Sequence, residues 1–255
     1  MTRLPSLPKH AGRSRDLHRR RRRRRIAPAA FSGTCFRLRP RLEIMEDRTL
    51  LSTFTVTNPA DGGPGSLRQA IVDSNVATGG TNTIDFAIPG QGVQTIAPLS
   101  PLPAITAPVL IDATTQPGFA GTPLIELNGS QAGGGDGLTI TGPDVTVRGL
   151  DVTNFSQGAG IHITGTRATG DWIYGNFLGT DPTGTQALPN NEGVQIDAGA
   201  TQNLVGTNGD GVNDTAERNI ISGDLFAASL SPARAPTTTP SPATSSERTS
   251  RDRSP

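Results

Sequence analysis

Apolar residues in the middle of this chain come in short phrases with the period of a strand, not in helical stripes. Three phrases set one polar residue between two apolar ones behind a glycine: Gly137-Leu138-Thr139-Ile140, Gly160-Ile161-His162-Ile163 and Gly193-Val194-Gln195-Ile196. Alternation sends Leu138, Ile140 and their counterparts to one face and leaves Thr139, His162 and Gln195 on the other. A second phrase runs in step: Val147-Arg148-Gly149-Leu150, Ile173-Tyr174-Gly175-Asn176 and Leu204-Val205-Gly206. Phrases that recur every few tens of residues predict a solenoid, whose repeats bury their apolar faces only by stacking on one another.

Earlier segments fit the same scheme. Thr53 to Thr57 alternates, and short strands are predicted at Thr83 to Ile88, Val93 to Ile96, Val109 to Ile111 and Pro123 to Leu127. Between the first two lies Ser66-Leu67-Arg68-Gln69-Ala70-Ile71-Val72-Asp73, where Ser66 and Gln69 have capping-box spacing and Leu67, Ala70 and Ile71 share a face. This predicts a short helix near 66–74 that covers the open end of the first repeat.

The block around Ser66 resembles the Cys-Ser-Leu-Arg-Glu-Ala motif at the start of bacterial parallel β-helix proteins, with Gly65 in place of the Cys and Gln69 in place of the Glu. The run from Ile111 to Leu127 is similar to the same family, and the likeness spans roughly residues 53 to 223. It implies an all-β, right-handed parallel β-helix with a short N-terminal capping helix, in a family where most members have no assigned reaction. Residues Arg39 to Ser52, with Glu46-Asp47-Arg48 and Leu50-Leu51-Ser52, resemble a leader motif of large secreted or surface proteins in one group of bacteria. Met45 stands where that motif has Leu. The leader resemblance implies export, to a secreted or cell-surface location.

Charge divides the chain three ways. Residues 1–50 carry 15 Lys/Arg and 4 acids, including seven arginines from Arg19 to Arg25; residues 51–224 carry 4 Arg, no Lys and 16 acids. The organisation expected is therefore 1–52 a basic disordered leader, 53–223 the β-helix domain, and 224–255 a Ser/Thr/Pro/Ala-rich disordered tail. Because Arg218 to Gly223 reads like the middle of a repeat, that tail is expected to be a frameshift or truncation product, against the alternative of a genuine stalk. The arginine arm has two readings, a nucleic-acid or anionic-membrane arm, or an export leader or upstream sequence. An acidic body repels phosphate backbones, so the folded part is not expected to bind nucleic acid. No apolar run reaches the length of a transmembrane helix. The one cysteine, Cys35, can form no intrachain disulfide.

Stacked strands should align equivalent outward residues into rows. One row would hold Thr139, His162 and Gln195, the other Arg148, Tyr174 and Val205. Together they form a candidate ligand surface for extracellular polysaccharide or cell-envelope components. Trp172 is a candidate sugar platform. For catalysis the candidates are Asp151 and Asp171, since hydrolysis on such a fold needs paired carboxyls. The body has no Asp-Asp pair and no Arg-x-Lys motif. Asp210, Asn213 and Asp214 concentrate oxygen atoms in a Gly-rich loop, the ligand type Ca²⁺ prefers. Asn176, Asn203 and Asn219 are expected to satisfy turn backbone groups. The function expected is structural display or adhesion with polysaccharide contact. The alternative is a polysaccharide lyase or glycoside hydrolase on the same fold.

Overall fold

The computed structural model describes residues 51–230, with side chains through residue 226. The expectations for the leader, the arginine run and the distal tail lie outside the described residues. The chain opens with β1 (Thr53–Val56), α1 (Leu67–Val76), β2 (Asn82–Phe86) and β3 (Gln94–Ile96). There follow β4 (Val109–Asp112), β5 (Ile125–Asn128), β6 (Leu138–Ile140), β7 (Val145–Arg148), β8 (Leu150–Thr153) and β9 (Ala159–Thr164). The last set is β10 (Trp172–Tyr174), β11 (Phe177–Leu178), β12 (Glu192–Asp197), β13 (Leu204–Val205), β14 (Ile220–Ile221) and β15 (Phe226–Leu230).

These strands form three sheets. Sheet A runs β1-β2-β4-β7-β10-β13, sheet B runs β14-β11-β8-β5-β3, and sheet C runs β15-β12-β9-β6. All paired strands are parallel. From β4 onward the chain visits A, B and C in strict rotation, and before that Ile105 bridges to Ile140 in the place of a sheet-C strand.

The register stacks apolar residues into columns. Sheet A aligns Phe54, Ile84, Ile111, Val147, Ile173 and Val205; sheet B aligns Ile96, Leu127, Val152, Leu178 and Ile221. Sheet C aligns Leu138 with Ile161 and Val194, and Ile140 with Ile163 and Ile196. Most of these side chains are fully buried and belong to one core. Burying each is worth about 1.5–3 kcal/mol, so the columns are the main source of stability.

Helix α1 adds Leu67, Ala70 and Ile71 to that core beside β1, the edge strand of sheet A. Its N-cap Ser66 accepts from the Gln69 N–H at 3.2 Å. The expected capping box is only half made, because the Gln69 amide donates to Asp73 (2.7 Å) and the Ser66 N–H goes to the Gly63 carbonyl.

Corners between sheets leave backbone groups without ladder partners, and asparagines supply them. Asn176 accepts from the Leu150 N–H (3.0 Å) and donates to the Val147 carbonyl (2.9 Å). Asn219 does the same for the Asn176 N–H (3.0 Å) and the Ile173 carbonyl (2.8 Å). Between sheets B and C, Asn190 accepts from the Phe155 N–H (3.0 Å) and donates to the Val152 carbonyl (2.9 Å). At the entry to sheet A, Asn203 accepts from the Asp171 N–H (2.9 Å) and donates to the Ala168 carbonyl (3.1 Å). The glycine of the second phrase belongs to the turn from sheet A to sheet B. Gly149 has φ +76°, and a Cβ there would lie 2.7 Å from Thr114 Cγ2.

The strand phrases end at Gly223 in sequence, yet the backbone continues as β15, parallel to β12 in sheet C. Asp224 makes the corner by accepting the Asn190 N–H at 2.8 Å.

Candidate ligand-binding faces

Thr139, His162 and Gln195 stand in register on β6, β9 and β12. Sequence spacing did not reveal the two carboxylates that join them. Asp136, in the turn before β6, lies 2.8 Å from His162 Nδ1, and Asp197, at the end of β12, lies 3.1 Å from Nε2. Asp136 also accepts from the Ala159 N–H (2.9 Å) and the Thr139 hydroxyl (3.3 Å). Asp197 accepts from the Thr164 hydroxyl (2.5 Å) and the Gln195 amide (3.0 Å). The hydrogen bond to Asp136, and then Asp197, hold the His162 imidazolium above its ordinary range against the opposing pull of burial. Burial pushes Asp136 and Asp197 up, but their hydrogen bonds, to His162 at Asp136 and to Thr164 and His162 at Asp197, leave both below the usual carboxylate range. A histidine with both nitrogens committed to carboxylates is a cross-link between strands, not a free base.

On sheet A the outward row reads Asp85, Asp112, Arg148 and Tyr174. Arg148 donates to Asp112 at 2.5 Å and to the Tyr174 hydroxyl at 3.1 Å. Its guanidinium carbon is 5.9 Å from the Tyr174 ring centre. Trp172 leans on Tyr174 with ring centres 4.2 Å apart at 35°, and its indole N–H donates to the Gly206 carbonyl at 2.8 Å. Both aromatic residues are half-buried. The expected third member of this row, Val205, lies instead in the inward column opposite Ile173. The ladder phase places β13 one position off the naive alignment.

Burial raises Asp112, but its Arg148 and Thr114 hydrogen bonds outweigh it and hold the carboxyl low. Asp112 in turn keeps Arg148 strongly protonated. Asp85 moves the other way: burial first, then the charge of Asp112, raise it. The face therefore carries an ion pair, one further carboxyl and a pair of fixed aromatic rings.

The catalytic candidates are not brought together. Asp151 sits on sheet B, in register with Glu126 on one side and Phe177 on the other. Asp171 precedes β10 at the entry to sheet A, where it accepts the Val145 N–H at 2.9 Å. Both are buried. Burial pushes the Asp151 carboxyl up to about 8, with help from Glu126 and Asp181, and pushes Asp171 up to about 6 despite the Val145 bond.

The residues put forward for Ca²⁺ close their own turns. Asp210 accepts from the Val212 N–H (2.7 Å) and the Asn208 amide (3.1 Å), and Asp214 accepts from the Thr207 hydroxyl (2.9 Å). Among the described residues, no group of three or more His, Cys, Asp or Glu side chains is arranged to hold a metal ion, and no helix is long and apolar enough to cross a membrane. A cavity of about 200 Å³ lies at the corner formed by Gly129, Ser130, Gly133 to Gly135 and Asn154 to Gln157. Its lining has no charged side chain. Comparison with models of known protein families and with curated proteins finds no match for this chain.

Proposed function

We propose that this chain is an exported, right-handed parallel β-helix that displays rigid polar faces at the cell surface and contacts neutral polysaccharide through the outward face of sheet A. The observation that carries this reading is the Trp172–Tyr174 pair, fixed by Gly206 and Arg148 beside the Asp112 ion pair. Stacked rings with hydrogen-bonding neighbours suit the apolar face and hydroxyl rim of a sugar, and pre-set side chains lose little entropy on binding. An acidic body without lysine disfavours polyanions. The strict rotation through three parallel sheets supports the closed, coiled form, and the Arg39 to Ser52 leader motif supports export.

The test is affinity electrophoresis of the chain through gels containing a neutral β-glucan. Trp172→Ala and Tyr174→Ala should abolish retardation while leaving the melting transition in place. Equal retardation of both variants and the parent would overturn the assignment to this face. Glycoside hydrolysis is a second reading, favoured by the in-register Glu126–Asp151 carboxyl pair. It requires release of reducing ends that is lost in Glu126→Gln.

A further inference from the structure

The outward row of sheet B holds a carboxyl that neither face uses. Asp151 is fully buried, and neither of its oxygens has a hydrogen-bond partner. Buried polar groups are nearly always paired, so an orphaned carboxyl calls for a physical reason. Directly after β11 the chain leaves the sheet as a hairpin, residues 179–188. Thr180 bridges Ala187 in antiparallel fashion, and the Leu188 N–H donates to the Gly179 carbonyl at 2.8 Å. Asp181 ties the tip by accepting from the Thr185 and Gln186 N–H groups, each at 2.8 Å.

This hairpin folds back over sheet B. A Cβ on Gly184 would lie 3.6 Å from the Phe177 ring and 3.7 Å from Ile220 Cδ1. Phe177 is the residue opposite Asp151, so hairpin and ring together roof that side of the carboxyl. The charged groups that face Asp151 are Glu126, from β5, and Asp181, from the hairpin. Strands β11 and β14 present Phe177 and Ile220. Among the described residues, no cationic side chain offsets the two acids.

We propose that hairpin 179–188 is a pH-sensitive flap, shut over a protonated Asp151 and loosened when that carboxyl ionises. In the closed form an ionised Asp151 would be unsolvated and flanked by like charge; opening admits water and exposes the Glu126–Asp151 pair. Closure is then fully favoured below the ordinary carboxylate range, near 3.9, weakens as pH rises toward about 8, and changes no further above that.

Hydrogen exchange of the full chain tests this, with the parent and Asp151→Asn compared at each pH so that the chemical pH dependence of exchange cancels. Between pH 5 and pH 8 the Gly184 and Leu188 amides of the parent should accelerate at least about tenfold relative to the variant, while β9 amides keep a constant ratio. A constant hairpin ratio overturns the proposal, as does a change shared equally by β9. Recovery of hairpin protection on adding Ca²⁺ at pH 8 would assign the orphaned oxygens to a cation and overturn it too. If Asp151→Asn does not fold, the Asp151 carboxyl carbon is titrated by NMR in the parent. A midpoint well above the ordinary range, matched by hairpin loosening, supports the flap; a midpoint near 3.9 overturns it.

Discussion

Asp171 occupies a corner position that Asn203 occupies one repeat later, and the two differ in one atom. Asn203 donates its amide to a carbonyl, whereas the second Asp171 oxygen is buried without a partner. A carboxyl raised to about 6 by burial stabilises the fold fully below about 3.9, and that contribution is lost as pH climbs to about 6. Asp171→Asn should therefore gain on the order of 2 kcal/mol above pH 6 and almost nothing near pH 4, read by urea unfolding at both values. Parallel pH profiles for parent and variant would refute this account. His162 has the same sign over a higher pH window. Its raised pKa gives stability that is complete below about 6.5 and fades as pH rises through the folded value, so sheet C should lose protection on the alkaline side and His162→Gln should flatten that trend. The alternation rule made His162, Thr139 and Gln195 legible as one row. Asp136 was not legible as their partner, because it sits in a turn, where period carries no information about direction. Asp197 shares the face of Gln195 by alternation, but nothing in the sequence marks its reach to His162 on the neighbouring strand.

At the scale of elements, the corner asparagines decide whether strands stack in register. Asn176→Ala would orphan the Leu150 N–H and the Val147 carbonyl in a buried corner. The expected cost is about 2–5 kcal/mol, measurable as a lowered urea midpoint with unchanged slope. Gly149→Ala should cost a comparable amount through its left-handed backbone and the approach to Thr114. A loss below about 0.5 kcal/mol in either variant would contradict the corner argument. The glycine and asparagine recurrences were visible in sequence, and so was the α1 face. What hid was β15, whose run from Phe226 to Leu230 lacks the glycine-led phrase of the earlier sheet-C strands. The hairpin at 179–188 was not legible in sequence, since its packing over Phe177 depends on contacts that the strand phrases do not encode.

For the whole molecule, columns of aliphatic side chains hold three parallel sheets together, and the outward residues are spent largely on one another. Arg148 with Asp112 and His162 with its two aspartates are internal cross-links, and the proposed glycan contact therefore rests on the aromatic pair of sheet A. The measurement that bears most directly on this account follows a neutral β-glucan and a polyuronate during prolonged incubation with the chain, recording gel retardation and reducing ends together. Retardation by the neutral glucan, abolished in Trp172→Ala, with no new reducing ends from either polymer, is the expected result. Release of reducing ends that disappears in Glu126→Gln would show that the molecule is an enzyme, and would contradict the display reading.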